Sequence, residues 1–307
     1  VKEGIVGPLR DGAPVVRSFS KRIAVANLPV RVNFCGSPSD AAPYCLERGG
    51  TMLDAALLLE GSLPIRVEAE VIDDPVFVFE SADQRLQETF DDVGEIRACG
   101  DPLDPFALHK ACVAASFLLD GFDSVKDFSS TMGGGLRLST SVEVPKGSGL
   151  GTSSILAAGC MKALGELCGL PFDEDLIYEQ VFAVEQLLGT GGGWQDQVGG
   201  LTPGLKFFTS KSGMRQKIDV ERLFLDEGTA RELDDRFTLI FSGQRRLARN
   251  VLRSETSRLI RNDRGALAAM ARIRELAALM RYHLLSGDVT AFAHCMTEQL
   301  SLVKVLD

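Results

Sequence analysis

Along residues 136 to 144, Leu136, Leu138, Val142 and Val144 alternate with Arg137, Ser139, Ser141 and Glu143, the two-residue period of a strand with one buried face. The period then changes. Residues 154 to 168 are apolar on almost every face until Gly169 and Pro171 stop them, which predicts a buried helix. A second helix is predicted over 173 to 188, with Asp173 as its cap, Glu174 and Asp175 in its first turn and Gly189 beyond its end. Ile177, Val181, Val184 and Leu188 form its apolar stripe, and on a helical wheel Glu185 falls between Val181 and Phe182, on the side to be buried. A carboxylate there is costly unless a cation meets it, either in an ion pair at the edge of the core or as a metal ligand.

Elsewhere the pattern is coarser. Residues 22 to 34 alternate as one strand, and a short helix over 41 to 47 tolerates Pro43 in its first turn. Residues 64 to 71 and 76 to 80 read as a β-hairpin turned at Asp73-Asp74-Pro75. A capped helix is expected over 104 to 119, with His109 as a structural side chain. Residues 205 to 209 and 237 to 241 read as strands, the latter of buried type, and 215 to 232 have mixed character. Residues 266 to 306 predict two helices broken at Ser286-Gly287-Asp288. No internal repeat or low-complexity linker interrupts the chain.

Between the first strand and helix stands Val144-Pro145-Lys146-Gly147-Ser148-Gly149-Leu150-Gly151-Thr152-Ser153-Ser154. Glycines at every second position let backbone N–H groups turn toward one point, with the positive end of a helix dipole and several hydroxyls behind them. That is a phosphate cradle. It lacks the Gly-Lys-Ser/Thr of a Walker loop and the spacing of Gly-x-Gly-x-x-Gly, and the alternative is a flexible turn in which Thr152, Ser153 or Ser154 caps the helix. Two more stretches carry candidate chemistry. In one, a strand presents Arg31 and Asn33 on one face and runs through Gly36 to Ser39-Asp40, where Asp40 could equally be the cap of the short helix. In the other, Gly191-Gly192-Gly193-Trp194-Gln195-Asp196-Gln197-Val198-Gly199-Gly200 gathers glycines around one carboxylate, as where backbone approaches a ligand closely. Arg246, Arg249 and Arg253, preceded by Arg245, share a basic helical face of the kind that is ordinarily just solvated.

Composition narrows the classes. With 307 residues, 45% hydrophobic and 24% charged, the chain suits two globular domains. A net charge of -9 disfavours nucleic acid and anionic membrane as partners, so a small-molecule ligand is expected. The seven cysteines lack metal-type spacing and are read as reduced thiols of a cytoplasmic protein without zinc. No apolar run is long enough to span a bilayer.

The run Pro-x-Gly-x-Gly-Leu-Gly-x-Ser-Ser at 145 to 154 resembles the ATP-binding motif of the GHMP kinases, the small-molecule kinase superfamily of galactokinase, homoserine kinase and mevalonate kinase. Pro29-x-Arg31-Val32-Asn33-x-x-Gly36-x-x-x-Asp40 resembles the first motif of that family, and Glu185 followed eleven residues later by Asp196 resembles its metal ligand and catalytic base. Pro43 to Gly50 looks most like the sugar-kinase branch that holds L-fucokinase and the bacterial heptose-phosphate kinases. Thr190 to Gly200 is closer to L-fucokinase than to the other branches, and Ser242-Gly243-x-x-Arg246-x-Ala248-Arg249-Asn250 resembles a fucokinase segment near the active cleft.

The resemblance implies an α+β, two-domain fold: an N-terminal domain related to ribosomal protein S5 over 1–205 and a ferredoxin-like domain over 206–307. The family's third glycine-rich motif finds no counterpart before Asp307, so a truncated C-terminal domain is expected. By the same resemblance Pro145, Gly147, Ser148, Gly149, Leu150, Gly151, Thr152, Ser153 and Ser154 bind ATP, and Ser153 and Glu185 hold Mg2+. Asp196 is the base, Arg31 flanks the reacting centre, and Asp40 with Ser39 contacts the sugar. The implied product is a sugar 1-phosphate, with L-fucose favoured as acceptor. The alternatives are a heptose 7-phosphate acceptor or a non-catalytic ATP- and sugar-binding sensor.

Overall fold

The computed structural model describes residues 16–101, 103–145, 147–243 and 257–306. Arg245, Arg246, Arg249 and Arg253 lie outside them, as does Lys146. The chain forms two compact units, each assembled from separated stretches.

The first unit holds the described residues of Val1–Val30, Leu58–Lys146 and Gly151–Thr190. Its five-stranded sheet runs β1 (Ile23–Leu28), β4 (Ile65–Ile72), β7 (Gly135–Val142), β5 (Phe77–Ser81) and β6 (Leu86–Phe90). The helices are α2 (Val93–Arg97), α3 (Ala107–Ala115), α4 (Val125–Met132), α5 (Thr152–Leu167) and α6 (Glu174–Leu188). The alternation of Ile65, Val67, Ala69 and Val71 buries one face of β4 completely or nearly so. Helix α5 lies on that sheet, and Gly159 sets how closely. A Cβ there would stand 2.7 Å from Val67 Cγ2 and 3.0 Å from Leu28 Cδ1. Asp173 caps α6 by accepting from Leu176 N at 3.1 Å, and Gly189 ends it in the left-handed region, as its sequence predicts.

His109 on α3 is buried against Phe79, with Nε2 3.1 Å from both Glu80 O and Thr140 Oγ1. Burial lowers its pKa to about 4, so it sits in the core as a neutral ring. The helix that carries it is shorter than expected, because Phe117 takes a positive φ of 56° just beyond its end.

Strand connectivity departs from expectation at two places. The 64 to 71 and 76 to 80 segments form strands but no hairpin, since β7 runs between them, antiparallel to β4 and parallel to β5. Gly135 makes room for the insertion: a Cβ there would meet Asp74 O at 2.2 Å and Val76 O at 2.3 Å. The single strand of 22 to 34 is two strands in different sheets. Pro29, with no N–H to give a ladder, separates β1 from β2 (Val30–Cys35).

The second unit holds the described residues of Arg31–Leu57, Gly147–Leu150 and Gly191–Asp307. Its sheet order is β2, β3 (Thr51–Leu57), β8 (Leu205–Ser210) and β9 (Ile218–Arg222). The helices are α1 (Tyr44–Arg48), α7 (Gln195–Leu201), α8 (Glu227–Arg236), α9 (Arg264–Leu285) and α10 (Val289–Leu306). Phe34 and Leu53 from the sheet pack into one core with Met270, Ile273, Leu276, Ala277 and Met280 of α9 and Phe292 of α10. The expected division after residue 205 differs from these units, because β8 pairs with β3 from Thr51↔Thr209 to Ala55↔Leu205. Residues 237 to 241 form no strand. They have no ladder partner among the described residues, and Leu239, Ile240 and Phe241 are exposed.

Candidate active site

In the second unit Arg31 is the hub. Its Nε donates to Asp196 Oδ1 at 2.7 Å and Nη2 donates to the same oxygen, while Nη1 donates to Gly149 O at 3.0 Å. The Arg31 N–H also donates to Leu150 O at 3.3 Å, so one residue ties the glycine loop to the candidate base. Burial works against the Arg31 charge, but the Asp196, Asp54 and Asp40 carboxylates outweigh it and hold the guanidinium above its ordinary value.

Asp196 lies in the first turn of α7, where the helix dipole favours a carboxylate. That helix begins after Trp194 without a side-chain cap of its own. Asp40 supplies one from a distance: its Oδ2 accepts from Gln195 N at 2.9 Å. It is therefore not the cap of α1, whose N-cap position is Pro43. Asp40 is 1% exposed, and its Oδ1 is buried without a hydrogen-bond partner among the described residues. Burial pushes its pKa up to about 6, with Asp196 adding to the rise and Gln195 N–H opposing it. Ser39 is placed differently. Its hydroxyl donates to Thr51 O at 3.2 Å and accepts from Thr51 N at 3.0 Å, so it fastens the turn to β3.

Gly147, Gly149 and Gly151 have φ of 78°, 81° and 76°, a left-handed run that side chains other than glycine resist. Ser148 Oγ is buried and has no partner among the described residues, while Pro145 and Gly149 are exposed and Leu150 half-buried. Helix α5 starts after Gly151 with no side-chain cap, so neither Thr152, Ser153 nor Ser154 plays that part. These amides and the hydroxyl fit a polyphosphate.

In the first unit Glu185 is 3% exposed. Ser154 Oγ donates to its Oε1 at 2.5 Å, and Thr190 Oγ1 donates to Oε2. Ser153 is exposed, and it is Ser154 that touches the carboxylate. Among the described residues no group of three His, Cys, Asp or Glu gathers as a metal site. A magnesium ion needs only one or two carboxylates from its protein, so the oxygen donors here fit it.

Two charged residues that the sequence pattern does not mark as candidates, Asp54 and Lys206, are both 0% exposed. Their signal is a charge within an apolar strand, beside Leu53 in one case and between Leu205 and Phe207 in the other.

Residues 108–203 match the family model of the GHMP kinases N terminal domain. The chain also aligns with the crystal structure of a D-glycero-D-manno-heptose 1-phosphate kinase from Bacteroides thetaiotaomicron. The TM-score is 0.66 at 20% identity, over 92% of this chain and 79% of that one. The chain carries the GHMP kinase fold. The family match takes in the glycine loop, Glu185 and Asp196, while Arg31 and Asp40 precede it. Over 300 residues, 95% of this chain, it is 37% identical to the bifunctional fucokinase/GDP-fucose pyrophosphorylase of Arabidopsis thaliana, of which it spans 27%. It is 28% identical to the D-glycero-alpha-D-manno-heptose 7-phosphate kinase of Campylobacter jejuni, over 91% of this chain and 76% of that protein. Among the described residues no helix is long and apolar enough to cross a membrane.

Proposed function

We propose that this GHMP kinase fold is an ATP-dependent sugar kinase that phosphorylates the anomeric hydroxyl of L-fucose to give L-fucose 1-phosphate. One observation carries the reading: Arg31 holds a carboxylate and the glycine loop at once. When bound with Mg2+, ATP supplies the γ-phosphoryl group. The amides of 147 to 151 and the Ser148 hydroxyl bind its phosphates, with Thr152 and Ser153 adding hydroxyl contacts. Glu185, braced by Ser154 and Thr190, would hold the metal, with the exposed Ser153 hydroxyl as the second protein oxygen. Asp40 would accept from the sugar hydroxyls at Oδ1, which has no hydrogen-bond partner among the described residues. Asp196 takes the proton from the anomeric hydroxyl, and Arg31 keeps that carboxylate in place.

The similarity to a heptose 7-phosphate kinase supports a second reading. The two acceptors differ by a phosphate, which would call for basic groups at the far end of the sugar. In the sequence beside Asp40, Ser37, Pro38, Ala41, Ala42, Pro43 and Tyr44 suit a methyl group and bring no positive charge, while Arg245, Arg246, Arg249 and Arg253, the basic residues that could serve a phosphate, lie outside the described residues. Fucose is therefore preferred.

Coupled detection of ADP with Mg-ATP and each sugar tests both readings. L-fucose should turn over faster than heptose 7-phosphate, and Asp196→Asn should lower kcat roughly 100-fold or more while ATP binding by calorimetry survives. Preference for the phosphorylated sugar would install the second reading. Normal turnover by Asp196→Asn would remove Asp196 as the base.

A further inference from the structure

Beside Arg31 lie two charges that the proposed transfer does not use. Asp54 on β3 and Lys206 on β8 face each other in strand register, both fully buried. Asp54 Oδ1 accepts from Asn33 Nδ2 at 2.5 Å, and Asn33 shares its face of β2 with Arg31. Asp54 Oδ2 has no hydrogen-bond partner among the described residues and stands 4.0 Å from Arg31 Nε. Lys206 Nζ donates to Gly199 O at 2.9 Å, a carbonyl of the helix that carries Asp196. Gly199 is also where Arg31 crosses that helix. A Cβ there would come within 2.7 Å of Arg31 Cγ and 3.3 Å of Asp54 Oδ2.

Burial drives Asp54 up and Lys206 down, each toward neutrality, and each charge opposes that drift in the other. Apolar side chains of similar size would fill this layer without the desolvation cost, so packing does not account for the charges. What they do contact is the two supports of Asp196: the guanidinium on one side and the helix backbone on the other.

We propose that Asp54 and Lys206 are positioning residues for the sugar kinase reading above, Asp54 fixing the plane of the Arg31 guanidinium and Lys206 fixing α7, so that Asp196 keeps one orientation. Neither touches substrate. A base held slightly out of place still binds its substrates but transfers the proton poorly, so the effect belongs in kcat.

Asp54→Asn keeps the shape and removes the charge. It should lower kcat about 10- to 100-fold while KM for ATP changes less than about threefold. In an Arg31→Ala background the same substitution should change kcat by less than about twofold, because the route of its effect has gone. Equal losses in both backgrounds would mark a merely structural role and overturn the proposal. A readout independent of turnover is the Arg31 Nε–H resonance in 15N-arginine-labelled protein. Asp54→Asn should shift it and speed its hydrogen exchange about tenfold, and an unmoved resonance in the folded variant would also overturn the proposal. If the unsubstituted protein phosphorylates no sugar and the resonance responds, the kinase reading falls and the positioning role stands. Should Asp54→Asn fold poorly, the charge-balanced Asp54→Asn/Lys206→Met variant replaces it in both measurements, with the same results expected and the same results overturning the proposal.

Discussion

At Gly193 the lack of a side chain is what admits a carboxylate to the site. A Cβ there would lie 2.1 Å from Asp40 Oδ2 and 2.6 Å from Asp40 O, both inside contact distance. Gly193→Ala should therefore push Asp40 away from Gln195 N–H, raising the sugar KM roughly tenfold or more and leaving KM for ATP within about twofold. Initial rates with each substrate varied in turn check this, and equal changes in both constants would deny Asp40 its role. The glycines around Asp196 are legible in the sequence as places of close approach, but Gly193 and Gly199 make room for Asp40 and Arg31, two of the chain's own side chains. Ser39 shows the limit at this scale. A serine next to an aspartate reads the same whether its hydroxyl faces a ligand or, as here, the Thr51 backbone. Asp54 and Lys206 are illegible as a pair, since only strand pairing across a long stretch of sequence brings them together.

At the scale of elements, α5 and α6 present Ser154 and Glu185 to each other. Glu185→Gln keeps an acceptor for Ser154 but weakens any bond to a cation. It should raise the Mg2+ needed for half-maximal activity about tenfold and leave the sugar KM within about twofold. Superimposable Mg2+ titrations would make Glu185 a structural carboxylate held by hydroxyls. The burial of Glu185 is readable because α6 has local signals at every point: Asp173 at its cap, an apolar stripe, and Gly189 at its end. Strand order has no such signals. The turn at Asp73-Asp74-Pro75 resembles a hairpin turn, and only the distant Gly134 and Gly135 indicate that β7 enters between its arms. Residues 237 to 241 carry the apolar pattern of a strand, yet a strand also needs a partner, which a local pattern does not reveal.

For the molecule as a whole, two buried titratable groups set opposing pH dependences, one in each compact unit. Burial raises Asp40 from 3.8 to about 6, so between those values the native state keeps a proton that the unfolded chain has released. Its contribution to stability is full below the lower value and is lost as pH rises through the upper one. Burial lowers His109 from 6.5 to about 4, so there the unfolded chain holds the extra proton. That contribution is full above the higher value and is lost as pH falls. Across the shared window the two slopes oppose each other. Relative to the unsubstituted protein, Asp40→Asn should therefore gain stability, on the order of 1 kcal/mol per pH unit, as pH rises from about 4 to 6, and His109→Gln should lose stability over the same range. Urea unfolding across that range checks both. Where the two units unfold in separate transitions, each substitution should move only the transition of its own unit. A difference between Asp40→Asn and the unsubstituted protein that stays constant with pH would mean that Asp40 titrates as an ordinary exposed carboxylate, and the buried acceptor site argued from its unpartnered oxygen would fall with it.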